Sequence, residues 1–124
     1  MRADPSDHSD SLASLRLTLS TMRARKAINP RILFLRELSG FTDYFVICSG
    51  ITERQVEAIA EGVRRELSIQ KVKPHHTEGE RNGVWVLLDF GDFVVHVFKE
   101  EARLFYGLEN LWSDAPDLTA ELEQ

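Results

Sequence analysis

One cysteine, Cys48, stands among the 124 residues. A single thiol forms neither an intramolecular disulfide nor a cysteine-rich zinc site, and a reducing cytoplasm is the expected setting. No apolar run approaches the ~20 residues that a membrane-spanning helix needs. The start, MRADPSDHSD, carries three aspartates and no apolar stretch. It is unlike a secretory signal and unlike an arginine-rich, acid-poor transit peptide. Internal repeats and low-complexity linkers are missing as well. Cations are scarce late in the chain: from Asp89 onward, nine acidic residues stand against two basic ones, Lys99 and Arg103. Nucleic-acid binders usually present a basic patch, so no direct RNA recognition is expected there. An acidic surface of this kind suits a basic protein partner.

What is present is ordinary globular material. Hydrophobic residues make up 43% and charged residues 28%, with a net charge of -5, which fits one folded domain rather than disorder. The expected organisation is a single domain over 9–116 between a flexible start, 1–8, and a flexible acidic end, 117–124.

A first helix is predicted from near Ser9–Ser11, with Leu12, Leu15, Leu19 and Met22 forming one apolar stripe. Asp7 and Asp10 near its start and Arg23, Arg25 and Lys26 near its end complement the helix dipole, and Asn29-Pro30 ends it. Arg31–Arg36 reads as a short strand. Phe41–Cys48 reads as a second, apolar on both faces and therefore central. Ser49-Gly50 breaks it. A helix follows over Thr52–Leu67, with a capping box formed by Thr52 and Gln55 and a buried stripe of Val56, Ile59, Ala60, Val63 and Leu67. Gly62 is out of keeping inside it.

Val72–His75 is expected as an edge strand, since Pro74 cannot donate to an interior ladder, and a polar loop follows to Asn82. The strongest local pattern is a hairpin over 84–98 with a two-residue turn at Gly91-Asp92. That turn opposes Phe90 to Phe93, Leu88 to Val95 and Val86 to Val97 on one face. It opposes Trp85 to Phe98, Leu87 to His96 and Asp89 to Val94 on the other. A slip of one residue would destroy both sets. A last helix is expected from Glu100, with Leu104, Leu108 and Leu111 as its stripe and Phe105 and Trp112 alongside, stopped by Ala115-Pro116. The fold class is α/β (α+β): a mixed sheet of about five strands flanked by helices.

Three chemistries are open to the polar residues. His75, His76, Glu78, Asp89 and His96 could bind a metal, but no H-x-x-x-H or H-E-x-x-H spacing exists. Asp89 and Asp92 could serve a metal-dependent nucleotidyl transferase, but they flank a turn instead of alternating along a strand. Cys48 with His96 could form a nucleophilic pair, but nothing nearby favours the thiolate. No cofactor and no metal is expected. The remaining candidate is a partner surface. Trp85, Leu87 and Asp89 share a strand face close to Phe98, and Tyr106 and Trp112 lie in a helix beside Glu100, Glu101 and Glu109. Aromatic anchors ringed by acidic groups are the usual make-up of interface hot spots.

Three blocks of sequence resemble one family. The first is Thr42-Asp43-Tyr44-Phe45-Val46-Ile47-Cys48-Ser49-Gly50, followed by Arg54-Gln55-Val56 and Ala58-Ile59-Ala60. The second is Glu78-Gly79 with Gly83-Val84-Trp85-Val86-Leu87-Leu88-Asp89. The third runs from Phe90-Gly91-Asp92-Phe93-Val94-Val95-His96-Val97-Phe98 to Arg103-Leu104-Phe105-Tyr106-Gly107-Leu108-Glu109-Asn110-Leu111-Trp112-Ser113-Asp114-Ala115-Pro116. Together, over Leu33 to Pro116, they resemble the ribosome silencing factor family, also called the Iojap family. The resemblance implies a nucleotidyl-transferase-like sheet without catalytic residues. It implies a non-enzymatic repressor of translation under nutrient limitation, binding the large ribosomal subunit through its basic protein number fourteen and obstructing the small subunit. It implies a homodimer when free. The partner-binding residues expected from the two readings together are Trp85, Leu87, Asp89, Phe98, Glu101, Tyr106, Glu109 and Trp112. Two departures stand out: Arg36 lies where the family commonly has an aspartate, and the N-terminal helix matches poorly beyond its amphipathic pattern. A nucleotide-binding or residual nucleotidyl transferase activity is the alternative, and an RNA-binding adaptor is a third reading.

Overall fold

The computed structural model describes residues 5–80 and 82–123, with the backbone alone for 5–10. The elements in chain order are α1 (Pro5–Ala24), β1 (Ile28–Phe34), β2 (Tyr44–Gly50), α2 (Glu53–Ile69), β3 (His76–Glu78), β4 (Trp85–Asp89), β5 (Phe93–Lys99), α3 (Glu100–Tyr106), α4 (Leu108–Leu111) and α5 (Thr119–Leu122). The five strands form one mixed sheet in the order β1-β2-β5-β4-β3. β2 runs parallel to β5, and every other pairing is antiparallel.

β2 is buried along its whole length, as a strand apolar on both faces must be. The hairpin register is the expected one, with Trp85 opposite Phe98, Leu87 opposite His96 and Asp89 opposite Val94. One face of the sheet packs under α1 and α2. Leu15, Leu19 and Met22 of α1 and Val56, Ile59, Val63 and Leu67 of α2 meet Val46, Cys48, Val86, Leu88, Val95 and Val97 there. Each such side chain contributes ~1.5–3 kcal/mol by leaving water. The Thr52 hydroxyl caps α2 by accepting from the Gln55 N–H. The Gln55 amide reaches one residue further back than a capping box requires, accepting from the Ile51 N–H at 2.7 Å and donating to the Lys26 carbonyl. A Cβ at Gly62 would come within 2.1 Å of Arg25 Nε, the far end of an exposed, flexible side chain that lies across α2 at that point.

Several expected boundaries move. β1 begins at Ile28, earlier than expected, and contains Pro30. The proline is tolerated because β1 is an edge strand with an irregular register between Ile28 and Arg31. The edge strand expected over Val72–His75 forms just after it instead, as β3, inside the stretch expected to be loop. The start of the first helix moves back from Ser9–Ser11, since α1 already includes residues 5–8, while residues 1–4 lie outside the described residues. Arg36 finds a local partner in Asp43 at 2.8 Å.

The acidic end is a correction. Instead of trailing free, the chain returns along β1: Phe34 N–H donates to the Pro116 carbonyl, Leu118 N–H to the Ile32 carbonyl, and Ile32 N–H to the Thr119 hydroxyl. Asp117 pairs with Arg31, and Leu122 is buried against α1. Burial opposes the Asp117 charge, but hydrogen bonds from Thr119 and Arg31 outweigh it and hold the carboxyl below its usual range. The segment supplies partners for an edge that would otherwise be open.

The expected single last helix is also two. Gly107 takes a left-handed conformation, φ 60 and ψ 36, and its N–H closes α3 on the Arg103 carbonyl. A left-handed residue ends a helix because it turns the chain off the helical path. Leu104 and Leu111 therefore do not join Leu108 in one buried stripe. They are 75% and 72% exposed.

Candidate functional site

The second face of the sheet is smaller and only partly covered. Leu33, Leu35, Phe45, Ile47, Val94 and Phe98 are buried on it, with Leu108, Trp112, Ala102 and Ala115 packed above. Where that cover ends, an aromatic group begins. The Trp85 ring lies 4.8 Å from Phe98 and 4.8 Å from Tyr106, centroid to centroid. Tyr106 in turn meets Phe105 edge-on at 5.1 Å. Phe98 is fully buried, Trp85 is half-buried and Tyr106 is 52% exposed, so the group runs from the core to the surface. Phe105, at 81% exposed, extends it together with Leu104. Beside Trp85 lies a cleft of about 340 Å³ lined by Leu87, Val84, Asn82, Tyr106 and the carboxylate-bearing Glu78.

The indole N–H of Trp85 does not face solvent. It donates to Nδ1 of His96 at 3.1 Å. His96 is 3% exposed, its Nε2 has no partner among the described residues, and its ring meets Phe45 at 4.4 Å. Burial pushes its pKa down to about 3, so the ring is neutral.

The expected partner residues do not all come together. Trp85, Leu87, Phe98 and Tyr106 come together. Asp89 lies on the same face, but one of its oxygens accepts the Gly91 N–H at 2.8 Å, as a turn residue does. Glu101 is exposed on α3. Glu109 and Trp112 face inward. Glu109 is bound by Arg103 and approached by Arg31 at 3.6 Å, and Trp112 packs edge-on against Phe45 at 6.2 Å.

Arg103 is the residue that sequence reasoning missed. It is 7% exposed. Its Nε and Nη2 donate to the two Glu109 oxygens at 2.9 and 3.1 Å. Its Nη1 donates to the Ile28 carbonyl at 3.0 Å and the Ser49 hydroxyl at 3.1 Å, and Nη2 to the Asn29 carbonyl at 2.8 Å. Those bonds use every N–H of the guanidinium. They tie α3 and α4 to the start of β1 and the end of β2, and so hold Tyr106 against Trp85. The only signal in the sequence was a cation alone among the acids of the last helix. Its carboxylate partner is six residues away across a glycine, a spacing no helical rule marks.

The enzymatic candidates are spread apart. Cys48 points into the face under the helices and His96 into the other. Burial raises the Cys48 thiol to about 12. Asp89 shares the Trp85 face, whereas Asp92 in the turn lies 3.4 Å from Ser11 of α1, on the opposite side. Among the described residues no three histidines, cysteines or carboxylates gather as a metal would require, and no helix is long and apolar enough to cross a membrane.

A family profile described as "Ribosomal silencing factor during starvation" matches residues 8–124. A ribosomal silencing factor of Halalkalibacterium halodurans is 40% identical over 109 residues, covering 88% of this chain and 92% of its own length. A mouse protein named for mitochondrial assembly of the ribosomal large subunit is 28% identical over 91% of this chain and 51% of its own length. A crystal structure of a Chromobacterium violaceum protein superposes with a TM-score of 0.79 at 31% identity, covering 82% of this chain and 84% of that one.

Proposed function

The chain belongs to the ribosomal silencing factor family, and on that premise we propose that it docks on the large ribosomal subunit and holds the small subunit off by its bulk. The observation that carries this is the aromatic group of Trp85, Phe98 and Tyr106 at the uncovered end of the sheet's second face, with Phe105 81% exposed beside it. Contiguous exposed apolar surface on a small domain marks an interaction site. Glu78 lines the cleft beside Trp85, Asp89 lies on the same strand face and Glu101 is exposed on α3, negative charges that suit the basic ribosomal protein number fourteen.

Phe98, Glu109 and Trp112 act from beneath. Phe98 supports the Trp85 ring, Trp112 packs against Phe45 in the cover beside it, and Glu109 neutralises Arg103. A standard interface hides ~800 Å² per partner, enough for a body of this size to block a neighbour without any chemistry. Repression of translation during starvation, in the cytoplasm, follows from that reading. So does a free homodimer if a second copy covers the exposed Leu104–Phe105 rim, and it would have to separate before docking.

The test is a sucrose gradient of the protein with separated subunits. Co-sedimentation with the large subunit alone and a reduced joined-ribosome peak is the expected result, lost in Trp85→Ala. Protein that stays at the top of the gradient while the subunits join normally overturns the reading.

A further inference from the structure

Trp85 has two ways to recognise a partner: its indole N–H, a hydrogen-bond donor, and its ring face, which is apolar and attracts cations. The fold has used the first internally. The N–H donates to His96 Nδ1 at 3.1 Å. The acceptor sits in a wall of rings, with Phe45 at 4.4 Å and Phe98 stacked at 6.2 Å. Among the described residues no charged group is within salt-bridge or hydrogen-bond reach of that imidazole, and its other nitrogen is buried without a partner. Leaving a buried nitrogen unpaired is unfavourable. A leucine or phenylalanine would fill this apolar wall without that penalty, so the imidazole is better explained by the bond it accepts. Because Nδ1 accepts, the proton sits on Nε2, and burial keeps the ring neutral through the physiological range.

We propose that His96 is a positioning residue for docking: by accepting the indole N–H it fixes the Trp85 ring against Phe98 and Tyr106 and leaves only the ring face and edge for the partner. The group that meets Trp85 is then an aliphatic side chain or a cation stacked on the indole, and not a carbonyl or carboxylate accepting its N–H. The proposal rests on the docking reading above and adds the residue that prepares the surface. Fixing a side chain before binding removes the cost of ordering it on contact.

A double-mutant cycle on large-subunit binding tests it. His96→Phe keeps a ring and removes the acceptor, and is expected to weaken binding roughly three- to tenfold, the worth of one hydrogen bond. His96→Asn, whose side-chain oxygen can stand where Nδ1 does, should recover affinity to within about twofold by the same reasoning. In a Trp85→Phe background, which has no indole N–H, His96→Phe should cost nothing further. A residue that only fills space would weaken binding equally in both backgrounds and gain nothing from asparagine, and that result overturns the proposal.

One measurement needs no His96 variant. In the ¹⁵N-labelled chain, the indole signal missing from Trp85→Phe should be protected from exchange with water, and rapid exchange overturns the proposal even if the His96 variants do not fold. If Trp85→Ala binds the large subunit as the parent does, the docking reading itself has failed, an outcome separate from a failure of the His96 cycle.

Discussion

The two faces of this sheet are made by the same strands and do different work. Under α1 and α2 the face is sealed: Val46, Cys48, Val56, Ile59, Val63, Val86, Val95 and Val97 are each 0% exposed, and the buried threonines of α1, Thr18 and Thr21, donate to carbonyls of their own helix. The other face has a short cover made of α3 and α4, broken at Gly107, and ends in exposed aromatics. A sealed face can only store stability. A face left half-covered keeps apolar area available for a partner, and it needs polar devices, Arg103 and His96, to hold that area in shape.

The largest test of the comparison is Arg103→Ala. It leaves Glu109 and two carbonyls without their donor and releases the cover of the second face, so a loss of about 4 kcal/mol is expected. Urea unfolding measures it, and large-subunit binding should fall as well. A binding curve unchanged in the folded variant would separate the cover from the docking surface. Leu19→Ala probes the sealed face. It should cost about 3 kcal/mol of stability and leave the affinity of the folded protein as it was. If affinity dropped too, the two faces would be coupled.

Trp85→Ala should show the reverse, weakening docking by ~2 kcal/mol or more with a smaller effect on unfolding. The neutral His96 gives a pH dependence of comparable size. The unfolded chain takes up a proton there below its ordinary value of 6.5, while the folded chain refuses it until about 3. The native state therefore binds fewer protons across that window, and stability falls as pH falls, at ~1.4 kcal/mol per unit. From pH ~7.5 to ~5 the parent should lose ~2 kcal/mol more than His96→Phe in parallel denaturations; equal slopes would mean that the imidazole titrates freely. The smallest effect is expected at Leu104→Ser. At 75% exposed it should move stability by ~0.5 kcal/mol or less, and a change only in docking or self-association would mark it as part of the rim.

Much of this was legible before any coordinates. The hairpin at 84–98 was readable to the residue, because a two-residue turn leaves one register that keeps Val86, Leu88 and Phe90 on one side. Trp85 could be set beside Phe98 for the same reason. β2 was recognisable as central because both of its faces are apolar. The boundary of β1 was misread because Asn29-Pro30, a stop for a helix, is also permitted at the irregular start of an edge strand. The last helix was misread because the stripe of Leu104, Leu108 and Leu111 obeys helical spacing, and periodicity carries no information about a left-handed Gly107 between them. The acidic tail looked solvated because its charges were counted without their partners, Arg31 and Arg23.

By itself the sequence determined the mixed sheet flanked by helices, the hairpin register and, through the resemblance of its three blocks, the family. These follow from local patterns, since alternation, helical spacing and turn chemistry act over a few neighbours. Only the tertiary structure decided which aromatic rings meet, that Glu109 is bound by Arg103 while Glu101 is free to face a partner, and that the Trp85 indole is held by His96. Those outcomes depend on side chains far apart in the chain, Arg103 with Ile28 and Asn29 above all, and a contact closed by the packing of three elements leaves no mark in any one of them.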